Sequence, residues 1–365
     1  MKRKLTYALA APALAAVVSL AVGAVALLLA GHSPAEAYKA MWQYVDSLDS
    51  LVNVLNRTAW YYVAGVAVAI GFKMNLFNIG VDGQYRLAAL LAAALGAALS
   101  DLPGFLIIIC VLLCSMVVGG AYAAIPGLLK VKRGVNEVVS TIMLNSIATG
   151  ITALLLARYL RDESVELVRT TEPLPEKAWL PTWEIGGAEL QAWVFFAVAI
   201  GIGFYILLQR MRFGYDLRMS GQNPAAAKAS GVDPNAMVLK TIILSGVVAG
   251  LIGMGPLLNE FHAFADQFPT TLGFTGISVA LLGRNNPIGI AIGAFVFAFI
   301  ERASQILNSV GVPQSIGRIL QGTILIVAVI AFEVVKRYAA AAEVRDAAAK
   351  AQSRHDATPA LGATA

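Results

Sequence analysis

Long apolar runs recur along the chain, each near or above the roughly 20 residues an α-helix needs to cross a hydrocarbon layer. They cover residues 5–30, 105–129, 135–157, 192–208, 237–258, 288–300 and 316–335, with further spans implied at 59–72, 87–99 and 274–282. Lipid offers no partner to a free backbone N–H or C=O, so an apolar run of this length is expected to be helical. The expectation is an all-α, polytopic integral membrane protein of about ten transmembrane helices, with broken helices near its centre. Composition agrees: 58% of the 365 residues are hydrophobic and 13% charged, about half the charge of a soluble domain.

The amino terminus, Met1-Lys2-Arg3-Lys4 before an apolar run and Ala35-Glu36-Ala37, imitates a secretory signal. The apolar part of such a signal spans about 7–15 residues, and this one is roughly twice that, so it reads as an uncleaved first helix. Placing Lys2, Arg3 and Lys4 in the cytoplasm also places Lys130, Lys132 and Arg133, then Arg210, Arg212 and Arg218, then Lys336 and Arg337 there, with both termini cytoplasmic. The five tryptophans, Trp42, Trp60, Trp179, Trp183 and Trp193, fall on the opposite side, where indole rings favour the headgroup layer. The basic flanks suit anionic membrane lipid and not nucleic acid.

Residues 1–338 read as one transmembrane domain, with outer segments at 31–57 and 159–190 and a cytoplasmic loop at 210–236. Either outer segment serves as a solvated connector or as a landing surface for a soluble partner. The alanine-rich, charged stretch 339–365 lacks bulky apolar residues and is expected to be disordered. Cys110 and Cys114 sit i, i+4 in one apolar run with no histidine or carboxylate nearby, so they read as small buried hydrophobes and no metal site is expected. His32, His262 and His355 form no hydrolytic or metal-binding constellation.

The apolar pattern breaks at two places. Asn75-Leu-Phe-Asn78-Ile-Gly80-Val-Asp82-Gly83-Gln84-Tyr85 interrupts one stretch with glycines and amides, freeing backbone groups that must face protein or a watery cavity. Thr270-Thr-Leu-Gly273-Phe-Thr275-Gly276-Ile-Ser278 repeats its pattern of paired glycines before a small-residue helix. Paired Gly-interrupted segments mark a binding site between repeats or, equally, close helix packing. Asp82 and Arg86 are spaced to pair on one helix face, and most other charges, including Glu137, Glu301 and Arg302, lie at span ends. A proton-coupled carrier places carboxylates mid-span, which counts against that class.

The loop 210–236 carries Asn223-Pro224, a capping residue followed by proline at the first helical position, then a run of alanines ended by Gly231. This predicts a short, small-faced helix on the cytoplasmic surface, flanked by Arg218 and Lys228, onto which another protein can dock closely.

Gly71-Phe-Lys-Met-Asn75-Leu-Phe-Asn78-Ile-Gly-Val-Asp82-Gly-Gln84, Lys132-Arg-Gly-Val-Asn-Glu137-Val-Val-Ser-Thr-Ile-Met-Leu-Asn145, Phe213-Gly-Tyr-Asp-Leu-Arg218 with Gly221-Gln-Asn-Pro224 to Gly231, and Gly273-Phe-Thr-Gly-Ile-Ser278-Val-Ala-Leu-Leu-Gly283 together resemble a known group. It is the branched-chain amino acid and simple-sugar permeases of bacterial ABC importers, and within it the nucleoside branch. The resemblance runs over about residues 59–336. It implies a type II-like permease whose coupling segment, Arg218, Gly221, Asn223, Pro224, Ala225, Ala226 and Gly231, seats in a cytoplasmic ABC ATPase. The segment lacks the Glu-Ala-Ala lettering of maltose-type permeases. No Gly-x-x-x-x-Gly-Lys-Ser/Thr phosphate loop occurs in the chain, so no catalytic residue or cofactor is expected here and ATP-Mg belongs to the ATPase partner.

The other implied partners are a second permease, identical or homologous, and an extracytoplasmic solute-binding lipoprotein, at the bacterial cytoplasmic (inner) membrane. The expected solute path is lined by Asn75, Asn78, Asp82, Gln84, Asn145, Thr275 and Ser278. Amides and hydroxyls dominate this set and suit a neutral nucleoside, with a ribose-like sugar as the alternative. Interhelical hydrogen bonding is the competing role for each of these residues. A third class, a membrane-embedded enzyme, would need a catalytic constellation that the chain does not offer.

Overall fold

The computed structural model describes residues 17–331 and 334. The basic flank Lys2, Arg3 and Lys4, the pair Lys336–Arg337 and the tail 339–365 lie outside the described residues. In order, the helices are α1 (Val17–Leu29), α2 (Pro34–Val45), α3 (Leu48–Phe72), α4 (Val81–Ala98), α5 (Gly104–Arg133) and α6 (Glu137–Arg158). A hairpin of β1 (Thr182–Ile185) and β2 (Ala188–Gln191) precedes α7 (Trp193–Gln209), α8 (Arg212–Gln222), α9 (Pro224–Ala229) and α10 (Pro234–Gly250). Helix α10 runs on through a 3-10 turn (Leu251–Gly253), α11 (Met254–Pro256) and a π-helical turn (Leu257–Phe261). Then come α12 (Leu272–Leu282), α13 (Pro287–Ser304) and α14 (Ser315–Ala331).

By length and composition, four helical segments among the described residues are able to cross a membrane, Gly104–Arg133, Glu137–Arg158, Pro234–Phe261 and Pro287–Val310, or up to six if each bent pair is one span. Helix α12, only 11 residues long, covers about 16 Å at 1.5 Å per residue, half of a bilayer core.

Two compact units divide the described residues, one of residues 17–38 with those from 307 onward and the other of residues 39–306. In the first, α1 and α14 meet where Gly23 leaves room for Leu320, and the Tyr38 hydroxyl donates to the Leu20 carbonyl at 2.7 Å. In the second, the seam between α5 and α10 is built on small residues. A Cβ at Gly250 would lie 1.9 Å from the Ser115 carbonyl oxygen, and one at Gly119 would lie 2.3 Å from that of Gly246. Backbones approach this closely only where side chains vanish, which is how helices associate when lipid is as apolar as the side chains themselves. On α5 and α6, by contrast, Phe105, Ile109, Leu113 and Val117, and Met143, Ile147 and Leu154, stand exposed, as faces solvated by acyl chains must.

Two sequence expectations change. Residues 31–57, expected as an outer loop, are largely helical: α2 occupies 34–45 and α3 begins at Leu48. Polar Asn53, Asn56 and Arg57 masked the start of α3 because they line a cavity inside the protein and not the lipid face. The segment 159–190, part of an all-α reading, contains the antiparallel hairpin, with Ile185 opposite Ala188. Its turn is Gly186-Gly187, both at positive φ (62° and 86°). A two-residue turn of this handedness matches the twist of paired strands, and glycine adopts it without strain. The tryptophans also divide. Trp60 and Trp193 are each 1% exposed, inside the protein, whereas Trp42, Trp179 and Trp183 are exposed.

Candidate functional site

Both breaks read from the sequence meet in the structure. After α3 the chain folds back on Gly71, whose carbonyl accepts from Met74 and Leu76, and Asn75 takes the left-handed conformation (φ 55°) that asparagine tolerates. Asn78 is 2% exposed and its amide pairs reciprocally with Gln84, at 3.0 and 3.1 Å, while also donating to Ser245 Oγ on α10 at 3.0 Å. Ser245 passes the chain on to the Ala67 carbonyl of α3 at 2.7 Å. Asn145 on α6 bridges the same break: its Oδ1 accepts from Gly83 N at 2.8 Å and its Nδ2 donates to the Ile79 carbonyl at 2.9 Å. Asn145 therefore satisfies backbone that the break frees, while Asn78 and Gln84 satisfy each other.

Helix α12 starts beside them. Thr271 is left-handed (φ 65°), and a Cβ at Gly273 would fall 2.6 Å from Asp82 N, so only glycine lets the second break abut the first. Gly276 does the same against Ala64 of α3. Thr275 and Ser278 lie half-buried on α12. The expected pair of Asp82 and Arg86 does not close: Asp82 Oδ1 and Arg86 Nε are buried without a hydrogen-bond partner. Asn78, Asp82, Gln84 and Asn145 thus form one polar centre, and Asn75 lies apart from it.

Asn75 belongs to the other site. Its Nδ2 donates to the Gly221 carbonyl at 2.8 Å, and Gly221 packs so closely that a Cβ would sit 2.7 Å from Met74 Cα. Helix α8, which the sequence reading left as loop, is pinned further by Leu217, buried among Met74, Leu76, Ala123, Met237 and Ile242. Burying one such side chain is worth about 1.5–3 kcal/mol. Arg218 donates to the Leu208 carbonyl at the end of α7, so its charge serves that helix terminus. Phe213, Leu217 and Ser220, spaced i, i+4, i+7, were the available sign of this helix.

Helix α9 has the form expected. Asn223 Oδ1 accepts from Ala226 N at 3.0 Å, Pro224 stands at the first turn, and Gly231 (φ 81°) ends the segment. Ala227 is buried against the body, while Pro224, Ala225 and Lys228 are exposed. At the same end, Lys130 and Glu137 form an ion pair of 2.6 Å across the α5–α6 turn.

A third feature escaped the sequence. At the hairpin end of the molecule a cavity of about 650 Å³ opens between α3, β2, the π-helical turn and α13. Its polar walls include Asn53, Trp60, Gln191, Asn259 and His262. Asn56, also on its edge, holds β2 to α3 by donating to the Glu189 carbonyl at 2.7 Å and accepting from Gln191 N at 2.9 Å. The signal was scattered over residues far apart in sequence, so spacing alone could not gather it.

Residues 50–329 match the family described as the branched-chain amino acid transport system / permease component. The chain is 30% identical over 342 residues to a glucose ABC transporter permease protein of Haloferax volcanii, covering 90% of this chain and 88% of that one. It is 28% identical over 341 residues to a guanosine ABC transporter permease protein of Bacillus subtilis, covering 93% and 96%. With a nucleoside ABC transporter permease protein of Lactococcus lactis it shares 25% over 323 residues, covering 86% and 88%. Apolar helices long enough to cross a bilayer, a glycine-tight seam between two of them and a family match over most of the length agree, and the chain belongs to the branched-chain amino acid transport system permease family.

Proposed function

We propose that this chain is the transmembrane permease of an ATP-binding cassette importer that carries nucleosides inward across the bacterial cytoplasmic membrane. In this reading the chain crosses the membrane about ten times with both termini cytoplasmic. A separate ATPase binds ATP-Mg, a second permease completes the path, and a lipoprotein delivers solute to the hairpin end.

One observation carries the coupling. Helix α9 presents Ala225 and Lys228 outward, while α8 behind it touches the Asn75 turn through Gly221 and buries Leu217 among Met74, Leu76 and Met237. A push on α9 by the ATPase therefore reaches the backbone that leads into the polar centre of Asn78, Asp82, Gln84 and Asn145 within a few residues. Solute moves when the two states of that centre differ in their contacts. Thr275 and Ser278, on the helix that starts against Asp82, complete the path.

The named solutes of the guanosine and nucleoside permeases of Bacillus subtilis and Lactococcus lactis favour a nucleoside. A neutral sugar is the second reading, favoured by the glucose permease of Haloferax volcanii. The test is uptake of labelled guanosine, ribose and glucose into vesicles holding the permease, ATPase and binding protein. ATP-dependent guanosine uptake is expected; ATP-dependent sugar uptake alone would replace the solute, and uptake indifferent to ATP would replace the mechanism with an ion-coupled carrier.

A further inference from the structure

Helices α3, α7 and α13 leave a groove of about 510 Å³ between them. Ala59, Ala197, Gly201 and Ala291 create the depression, since small side chains leave empty the volume that bulky ones would fill. At Gly201 no larger residue fits, because a Cβ would strike the Tyr62 hydroxyl. Val198, Ile202 and Ile288 form exposed rims. Thr58 donates its hydroxyl to the Val54 carbonyl at 2.6 Å, so the slot presents almost wholly apolar surface.

The three helices share one basic end. Asn56, early in α3, holds Gln191 just before α7, while Arg57 pairs with Glu301 late in α13. Helix α7 therefore runs with α3 and α13 runs against it. Lys73 follows α3, Arg210 follows α7 and Arg284 precedes α13, so all three stand at the same end, where Arg212 opens α8. The Arg212 side chain is 90% exposed and its approach to Asp216 is loose, at 3.9 Å. At the opposite end the arginines are matched, Arg57 with Glu301 at 3.6 Å and Arg302 with Asp49 at 3.4 Å.

Depth and charge agree. From Val194 to Tyr205 the groove follows α7 for about 16 Å at 1.5 Å per residue, close to the roughly 15 Å of hydrocarbon in one leaflet. Arg210 lies about 7 Å further along the same helix. An apolar slot one leaflet deep, with exposed arginines just beyond its mouth, has the shape and polarity of one lipid molecule, and anionic headgroups are drawn to such basic flanks. A second copy fits this face poorly. A twofold partner meeting it through the same surface would bring its own Arg210 and Arg212 to the same level, like charge against like.

We infer that the groove holds one anionic phospholipid, with an acyl chain lying between α3, α7 and α13 and its phosphate on Arg210 and Arg212. Such a site requires only that the chain spans a membrane, whichever solute it carries. The purified permease, stripped of lipid in a mild non-ionic detergent, is titrated with phosphatidylglycerol and with phosphatidylcholine of the same acyl chains. Bound lipid is counted by native mass spectrometry.

The expected result is one phosphatidylglycerol bound at least about fivefold more tightly than phosphatidylcholine. Ala291→Phe, which fills the groove from a half-buried position, should weaken both lipids by about fivefold or more. Val198→Trp should do the same from an exposed rim, where the fold is not at risk. Arg210→Gln combined with Arg212→Gln should keep phosphatidylcholine binding and erase the preference, and Ala153→Phe, on an exposed face of α6, should change neither. Equal affinity for the two lipids in the wild type, or wild-type binding in both groove-filling variants, would overturn the inference. So would a wild-type dimer that Val198→Trp separates while lipid bound per chain stays constant, since the groove would then belong to a second copy.

Discussion

Substituting Gly221 by alanine tests whether the seam between α8 and the Asn75 turn transmits force. The added Cβ would stand 2.7 Å from Met74 Cα, 2.9 Å from its carbonyl carbon and 3.0 Å from its oxygen, all backbone atoms that cannot rotate aside. Reaching ordinary contact requires α8 to retreat by roughly 0.7 Å. That stretches the 2.8 Å bond from Asn75 Nδ2 to the Gly221 carbonyl toward the limit of hydrogen bonding. Overpacking costs about 1–3 kcal/mol and the weakened bond about 1 kcal/mol, so the protein stays folded while the seam loosens. A coupling free energy of about 1–3 kcal/mol corresponds to a 5–150-fold effect, so solute imported per ATP hydrolysed is expected to fall about tenfold or more in Gly221→Ala proteoliposomes. Gly203→Ala, where the new methyl meets nothing within 4 Å, is the control and should transport normally. A Gly221→Ala protein with a lowered Tm but an unchanged transport-to-ATP ratio would refute the reasoning, because the seam would then be packing alone.

Other outcomes follow from the same geometry. Asn78→Leu strands the Gln84 amide in a buried site and removes a bond to Ser245, and should cost about 2–4 kcal/mol, read as a fall in thermal midpoint. Gly250→Ala drives a methyl to 1.9 Å from the Ser115 carbonyl oxygen and should cost about 3 kcal/mol or more, with loss of the monodisperse protein on size exclusion in detergent. His262, beyond the π-helical turn, is held below its ordinary pKa of 6.5 by burial. The folded state then binds fewer protons than the unfolded one, so stability rises with pH and is lost on acidification below about 6.5. Thermal midpoints at pH 5.5 and 7.5 should differ more in the wild type than in His262→Gln.

What the sequence disclosed was whatever lipid physics writes locally. A bilayer forces long apolar runs, so the helices announce themselves, and α9 was legible because its cap, proline and stop lie within one short stretch: Asn223, Pro224 and Gly231. The glycine breaks were visible, but not that Gly273 would lie against Asp82, since that contact joins distant segments. Helix α8 was overlooked because Arg212, Asp216 and Arg218 make it polar overall, although Phe213 and Leu217 give it one apolar face. The Gly186-Gly187 hairpin was readable in principle and was passed over in favour of a connector. The cavity at the hairpin end was not readable, because Trp60, Gln191 and Asn259 acquire meaning only when α3, β2 and the π-helical turn converge.

The central claim is that an ATPase drives this permease through α9. Its most direct test is ATP-driven guanosine uptake by the assembled transporter with Ala225→Arg, a change at an exposed position that leaves the Asn223 cap and buried Ala227 in place. The account predicts an inserted, stable protein that no longer retains the ATPase and imports at background rate. Wild-type uptake and wild-type ATPase retention in that variant would contradict it.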